Sequence, residues 1–292
     1  MKKIKLPYVL AALFTISILG CADQKPVAAE YKSAEGPQIV GGQKLNYASS
    51  KASTIVFIST EDDEGNNKIC TGTFISKKYI LTAAHCIAKD KNGMSISFRQ
   101  NDSNTTVNLI DIEITETYKL DFSDLLITRN DMAVIQYKGG LPKGATLAYL
   151  PDIPNRKTFT AQRLKFSAVG YGRNTGLTPD DPMASTGEGI LRLKTLISEP
   201  ITPLVDHFKI DQFKNKGGIC FGDSGGPALR YDPITKKNIV VGVASAVLTS
   251  RKGAGINPND DCKNESMYLN MYFYTKYFYD YLKKAIKLKA AN

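Results

Sequence analysis

Short apolar runs rich in β-branched and aromatic residues recur along this chain, and each closes on a cluster of turn-forming residues. Runs at 54–59, 72–76, 79–82, 95–99, 107–114 and 132–137 read as one set of strands, and runs at 164–171, 189–196, 227–231, 239–246 and 267–274 as a second. A strand of this length buries no apolar face by itself, so the succession points to a closed all-β architecture. The stretch Gly139-Gly140-Leu141-Pro142-Lys143-Gly144 separates the two sets, giving lobes over 39–144 and 145–292. A length of 292 residues exceeds one small core and suits two packed lobes. Two helices interrupt the pattern: a short one at 203–208, and one at 276–288 where Phe278, Leu282, Ala285 and Ile286 share a face that would pack on the second lobe.

The chemistry concentrates in Gly222-Asp223-Ser224-Gly225-Gly226-Pro227. Gly222 permits a tight turn that aims its N–H and that of Ser224 at one point, where an oxyanion would be stabilised. Ser224 is then the candidate nucleophile, and Gly225 and Gly226 leave its approach unobstructed. Asp223 carries a carboxylate that needs a cationic partner if it is buried.

A serine hydroxyl is a weak nucleophile at neutral pH and needs a general base, most naturally histidine. The chain has two, His85 in Leu81-Thr82-Ala83-Ala84-His85-Cys86 and His207 between Asp206 and Phe208. His207 reads as a surface residue on the short helix, which leaves His85. A carboxylate must hold the imidazole tautomer. Asp131, opening the apolar run Met132-Ala133-Val134-Ile135, is the leading candidate, with Asp111, Asp121 and Asp124 as chemical alternatives.

These segments in this order, with Ile39-Val40-Gly41-Gly42 upstream, resemble the trypsin-like (chymotrypsin-fold) serine endopeptidases from Ile39 onward. The resemblance selects Asp131 and implies two packed six-stranded antiparallel Greek-key β-barrels. It also implies His85 as general base, Asp131 as its orienter supported by Ser245, Ser224 as nucleophile, and the Gly222 and Ser224 amides as oxyanion hole. It pairs Cys70 with Cys86 and Cys220 with Cys262, each bridge worth about 3 to 4 kcal/mol in the chain-entropy account. It further implies a zymogen: cleavage after Gln38 would free the α-amino group of Ile39 to pair with Asp223. Gln38 is not basic, so trypsin-like self-activation is disfavoured, and a separate activating protease is expected. Gly218 falls at the floor of the substrate pocket, where no acid awaits Arg or Lys, and Val247 and Tyr272 fall on its walls. A preference for small apolar residues follows. Ala246 and Tyr171 stand where such proteins usually carry tryptophan, a residue this chain lacks.

Residues 1–20 open with Lys2, Lys3 and Lys5, then run apolar from Leu6 to Gly20, too short for a membrane span and readable as an export signal. Ile18-Leu19-Gly20-Cys21 resembles a bacterial lipobox, in which Cys21 would become lipidated and provide the only membrane attachment. Setting Cys21 aside leaves four cysteines, an even number suited to an oxidising compartment. Residues 21–38 are polar and read as an anchor and propeptide segment. The zymogen is thus expected in a bacterial cell envelope, with a soluble enzyme released on activation.

The net charge of +10 comes without a helix-turn-helix, zinc-finger or stacking motif, so no nucleic-acid partner is expected. No cofactor or metal is expected either, Asn259-Asp260-Asp261 being weak grounds for calcium. The intact set His85, Asp131 and Ser224 argues against a non-catalytic binding or adhesion protein on the same fold. Gly222-x-Ser224-x-Gly226 also fits an esterase elbow, but no α/β alternation surrounds it.

Overall fold

The computed structural model describes residues 39–62, 64–102, 106–125, 127–154, 160–174, 189–248 and 261–291. The leader, Cys21, Gln38 and the Asn259-Asp260 pair lie outside them. Two seven-stranded antiparallel sheets and one long helix make up the described fold, bearing out the all-β double-barrel expectation with one more strand per sheet.

The strands run β1 (Gln43–Lys44), β2 (Ile55–Glu61), β3 (Asn67–Phe74), β4 (Tyr79–Thr82), β5 (Met94–Asp102), β6 (Thr106–Asp111), β7 (Ile114–Leu120) and β8 (Met132–Tyr137). They continue with β9 (Lys165–Gly170), β10 (Arg192–Ile197), β11 (His207–Asp211), β12 (Pro227–Asp232), β13 (Lys237–Leu248) and β14 (Glu265–Asn270). The first sheet has the order β6-β5-β2-β3-β4-β8-β7. Its two edges are consecutive in the chain, with only Ile112 and Glu113 between them, so the sheet must curl back on itself. The second has the order β1-β10-β9-β12-β13-β14-β11, and a Glu199 N–H to Lys209 carbonyl bond of 3.0 Å draws its far side together.

Burial explains why some strands read as continuous apolar runs. In β8, Ala133, Ile135 and Tyr137 face the core of the first sheet, while Met132 and Val134 face a second core shared with Val169, Leu229, Val243 and Leu269 of the other sheet. Both faces are dry, so no polar alternation survives. By contrast β7, Ile-Thr-Glu-Thr-Tyr-Lys-Leu, is only partly buried over its first four residues.

Three local expectations are corrected. Residues 203–206 form turns rather than a helix, and His207 starts strand β11, paired with Leu269 of β14. The C-terminal helix α1 (Met271–Ala291) is long and starts five residues early, because the Asn270 side chain caps it by accepting the Tyr272 N–H at 3.1 Å. Finally, α1 packs on both lobes. Tyr274, Phe278 and Leu282 enter the shared core, and Lys289 pairs with Glu116 of β7.

Candidate active site

The ladder between β4 and β8 pairs Thr82 with Ala133, which brings the residues just beyond these ends, the His85 turn and Asp131, side by side. The Cys70–Cys86 disulfide fastens that turn to β3. His85 Nδ1 lies 3.0 Å from both Asp131 carboxylate oxygens, and the His85 backbone N–H donates to Oδ1, also at 3.0 Å. Ser245, on β13 of the other sheet, donates its hydroxyl to Asp131 Oδ2 at 2.5 Å. Asp131 is 13% exposed against 41% for His85, so the imidazole faces solvent from a sheltered anchor. Burial pushes the Asp131 carboxyl up, but the His85 ring, the Ser245 hydroxyl and the His85 N–H together hold it below the ordinary carboxylate value. A cleft of about 660 Å³ opens here, lined by His85, Thr128, Arg129, Asn130, Asp131 and Ser245.

The loop leading into Asp131 is held by residues that sequence reasoning missed. Asp206, nearly buried, accepts the N–H groups of Thr128 and Arg129 at 2.8 and 3.1 Å and the Thr128 hydroxyl as well. His207 Nδ1 lies 2.9 Å from the same carboxylate, so this histidine belongs to an inter-lobe network rather than to a surface helix. The Tyr274 hydroxyl donates to the Arg129 carbonyl at 2.8 Å. The adjacent Asp206-His207 pair was the available signal.

Ser224 sits in a turn whose geometry glycine permits, Gly222 having φ +95°. Within the turn, the Asp223 N–H donates to Cys220 O at 3.1 Å, Gly225 N–H to Ala244 O at 2.7 Å, and Gly226 N–H to Asp223 O at 2.9 Å. Among the described residues the Gly222 and Ser224 N–H groups donate to no other backbone group, which leaves them available to one incoming oxygen. Thr71, from the first sheet, clamps the turn from both sides. Its N–H donates to Ser224 O at 2.8 Å and its hydroxyl to Gly222 O at 3.0 Å. Cys86 Sγ lies 3.6 Å from Ser224 O, so the His85 turn abuts the serine turn. Among the described residues no hydrogen bond joins the Ser224 hydroxyl to His85, a contact that commonly tightens only with substrate bound.

Asp223 is buried, its carboxylate accepting the Gly172 and Cys220 N–H groups at 2.8 Å each. Burial pushes its carboxyl up to about 7, with those two N–H groups and the charge of Arg192 working against the rise. Gly170 and Gly172 make room: a Cβ on either would come within 2.2 and 2.4 Å of the Asp223 carboxyl group. Ile39 is fully buried, and the Val40 carbonyl presses on Gly217.

The Cys220–Cys262 disulfide joins the serine turn to the segment before β14, and Val247 packs against it and Val40. Gly218 lies against buried Gln212, whose Oε1 would be 1.9 Å from a Cβ placed on that glycine. Tyr272 departs from expectation. Because α1 begins at Met271, Tyr272 turns into the core of the second sheet with Phe166, Phe208 and Tyr268, apart from Val247. Tyr171 is fully buried edge-on to Phe57. Cys70, His85 and Cys86 are close enough to hold a metal, but the two sulfurs are bonded to each other.

A family model described as Trypsin matches residues 39–259. Among curated proteins the chain is similar to Trypsin Blo t 3 of Blomia tropicalis, 26% identical over 199 residues that cover 60% of this chain and 66% of that protein. It is similar to Chymotrypsin of Phaedon cochleariae, 31% identical over 172 residues, 54% of this chain and 58% of that protein. To Trypsin Tyr p 3.0101 of Tyrophagus putrescentiae it is 27% identical over 232 residues, 74% of this chain and 77% of that protein. The chain spans less than two thirds of the length of the first two.

Proposed function

The chain belongs to the trypsin family, and from that premise we propose that it is a serine endopeptidase acting through an acyl-enzyme. Ser224 attacks a peptide carbonyl while His85 takes its proton, with Asp131 holding the Nδ1–H and balancing the imidazolium. The Gly222 and Ser224 amides stabilise the oxyanion. His85 then protonates the leaving amine and afterwards activates the water that releases the acid. The observation that carries this reading is the His85–Asp131–Ser245 array beside a turn whose Gly222 and Ser224 amides are unengaged among the described residues. A fluorophosphonate probe should label Ser224, and Ser224→Ala should abolish the labelling. A properly activated wild-type protein that takes up no probe would overturn the assignment.

The substrate preference follows from what lies near Gly218. Gln212 is neutral, so an Arg or Lys side chain reaching that floor finds no counter-charge, and Val247 narrows the wall. Cleavage after small apolar residues is the expected outcome of a peptide-library profile, and a dominant Arg or Lys preference would refute it.

Activation is by cleavage between Gln38 and Ile39 by another protease, whereupon the new ammonium pairs with Asp223. The export signal and Cys21 motif support a lipid-anchored precursor from which cleavage frees the catalytic part, and the two disulfides fit an oxidising compartment outside the cytoplasm. Mass spectrometry should find an acylated N-terminal fragment separate from a chain beginning at Ile39. Active enzyme still carrying acylated Cys21 would contradict the release.

A further inference from the structure

We propose that Arg192 is a built-in counter-charge for Asp223, a positioning residue that holds the Gly222–Ser224 turn in shape before cleavage, so that the uncleaved chain keeps a substantial part of the activated enzyme's reactivity. The inference rests on the proteolytic reading above and sets how strict its switch is.

The β9–β10 ladder places Arg192 directly opposite Gly170. Residues opposite one another in an antiparallel pair present their side chains on the same face, with Cβ positions about 5 Å apart. Gly170 has no side chain, and its place is taken: Asp223 Oδ1 stands 2.2 Å from where the Gly170 Cβ would be. The carboxylate therefore occupies the seat of Arg192's cross-strand partner, though it comes from a turn 31 residues further along the chain. Arg192 is only 2% exposed, and its Nη1 donates to the Ile190 carbonyl at 2.6 Å, which pins the guanidinium inside. A guanidinium stays charged at neutral pH and is costly to bury without an anion nearby.

Among the described residues, Asp223 feels the charge of Arg192 from β10 and lies near the Tyr268 hydroxyl from β14, and Arg192 feels Asp223 and Tyr47. Burial pulls Arg192 down to about 10, and Asp223 opposes that fall, as Arg192 opposes the rise of Asp223. Arg192 needs no cleavage to be in position. The Ile39 ammonium, once made, adds a second cation to an aspartate that already has one.

The test uses the full chain with the Gln38–Ile39 bond verified intact by mass, the same protein cleaved there, and a fluorophosphonate probe. Uncleaved wild type should label Ser224 at a rate within about 100-fold of the cleaved form, one counter-charge being in place and one absent. Arg192→Gln should slow the uncleaved chain by a further factor of about 30 or more, whereas Arg192→Lys should restore most of the rate. In the cleaved form Arg192→Gln should cost only a few-fold at neutral pH but move the alkaline loss of labelling to lower pH, because the ammonium then acts alone. A purely structural role for Arg192 would leave that alkaline limb where it was. Uncleaved wild type that fails to label while the cleaved form labels, or folded Arg192→Lys that labels no faster than Arg192→Gln, would overturn the inference and leave the protease assignment standing. Failure of both cleaved and uncleaved wild type to label would instead overturn the assignment itself.

Discussion

Asp131, contributed by the first sheet, and Asp223, contributed by the second, are both sheltered carboxylates within the same site, yet their surroundings push them in opposite directions. Asp131 receives donors from a ring nitrogen, a hydroxyl and a backbone N–H, and is held below the ordinary carboxylate value. Asp223 receives two backbone N–H groups and a buried cation, and still rises to about 7. Burial separates them: 13% of the Asp131 side chain meets solvent, whereas Asp223 is 1% exposed. In the proposed mechanism, the anchor of the base has to remain an anion through each catalytic cycle. The anchor of a turn has only to fix backbone geometry, and its marginal ionisation makes it responsive to each added cation.

The contrast breaks most readily at Asp131. Asp131→Asn should reduce turnover by roughly 10⁴-fold, the size typical when such a carboxylate becomes an amide, while moving the unfolding free energy by only about 1 kcal/mol. Asp223→Asn should reduce turnover less, by about 10²- to 10³-fold, but should destabilise more, by about 2 to 3 kcal/mol, because one of the two buried N–H donors from Gly172 and Cys220 would then face an amide NH2 instead of an acceptor. Urea unfolding combined with probe labelling checks both, and an Asp223→Asn protein as stable as wild type would erase the distinction between the regions.

The pH dependence sharpens it. Asp131, depressed in the fold, contributes stability that is present above the ordinary carboxylate value and is lost as acid takes the pH through its lowered value. Asp223, raised in the fold, contributes in the reverse sense: its contribution is full below the ordinary carboxylate value and fades as the pH climbs through about 7. In the uncleaved chain, the stability gap between wild type and Asp131→Asn should therefore shrink on acidification. The gap between wild type and Asp223→Asn should shrink between about pH 4 and 7. Gaps that move in the same direction would refute the assignment of opposite shifts.

Thr71→Val removes one hydroxyl that joins the two regions, at Gly222 O and the Tyr171 N–H, and should cost about 1 to 2 kcal/mol with a several-fold fall in labelling. The smallest effect is expected at Asn270→Ala, where loss of the α1 cap should cost about 1 kcal/mol and leave labelling unchanged.

Legibility in the sequence followed burial. Strands β4 and β8 could be read to their ends because they are apolar on nearly every residue. Strand β7 was missed beyond Ile114 because its threonines, glutamate and lysine blur the alternation. The aromatic run Met271-Tyr272-Phe273-Tyr274 looked like strand, and only the Asn270 side chain shows that it starts a helix. At the site, His85 stood out because the chain has one other histidine, whereas choosing Asp131 needed the family pattern. The rejected acids have other work: Asp121 bonds Ser123 and Asn130, and Asp124 bonds Tyr281. Arg192 was invisible because its meaning depends on which residue lies across the ladder, and that residue is a glycine filled by a distant turn.

Helix α1 follows every strand of both sheets in the chain, yet Tyr274, Phe278 and Leu282 complete the core between them, and the Tyr274 hydroxyl latches the carbonyl two residues ahead of Asp131. Without α1 the seam that unites the two sheets would lack its wedge, and the Arg129 carbonyl beside Asp131 would lack its latch. The geometry of the cleft at His85 and Asp131 is thus tied to a segment that belongs to neither sheet, so damage to that distant segment would reach the cleft through packing alone.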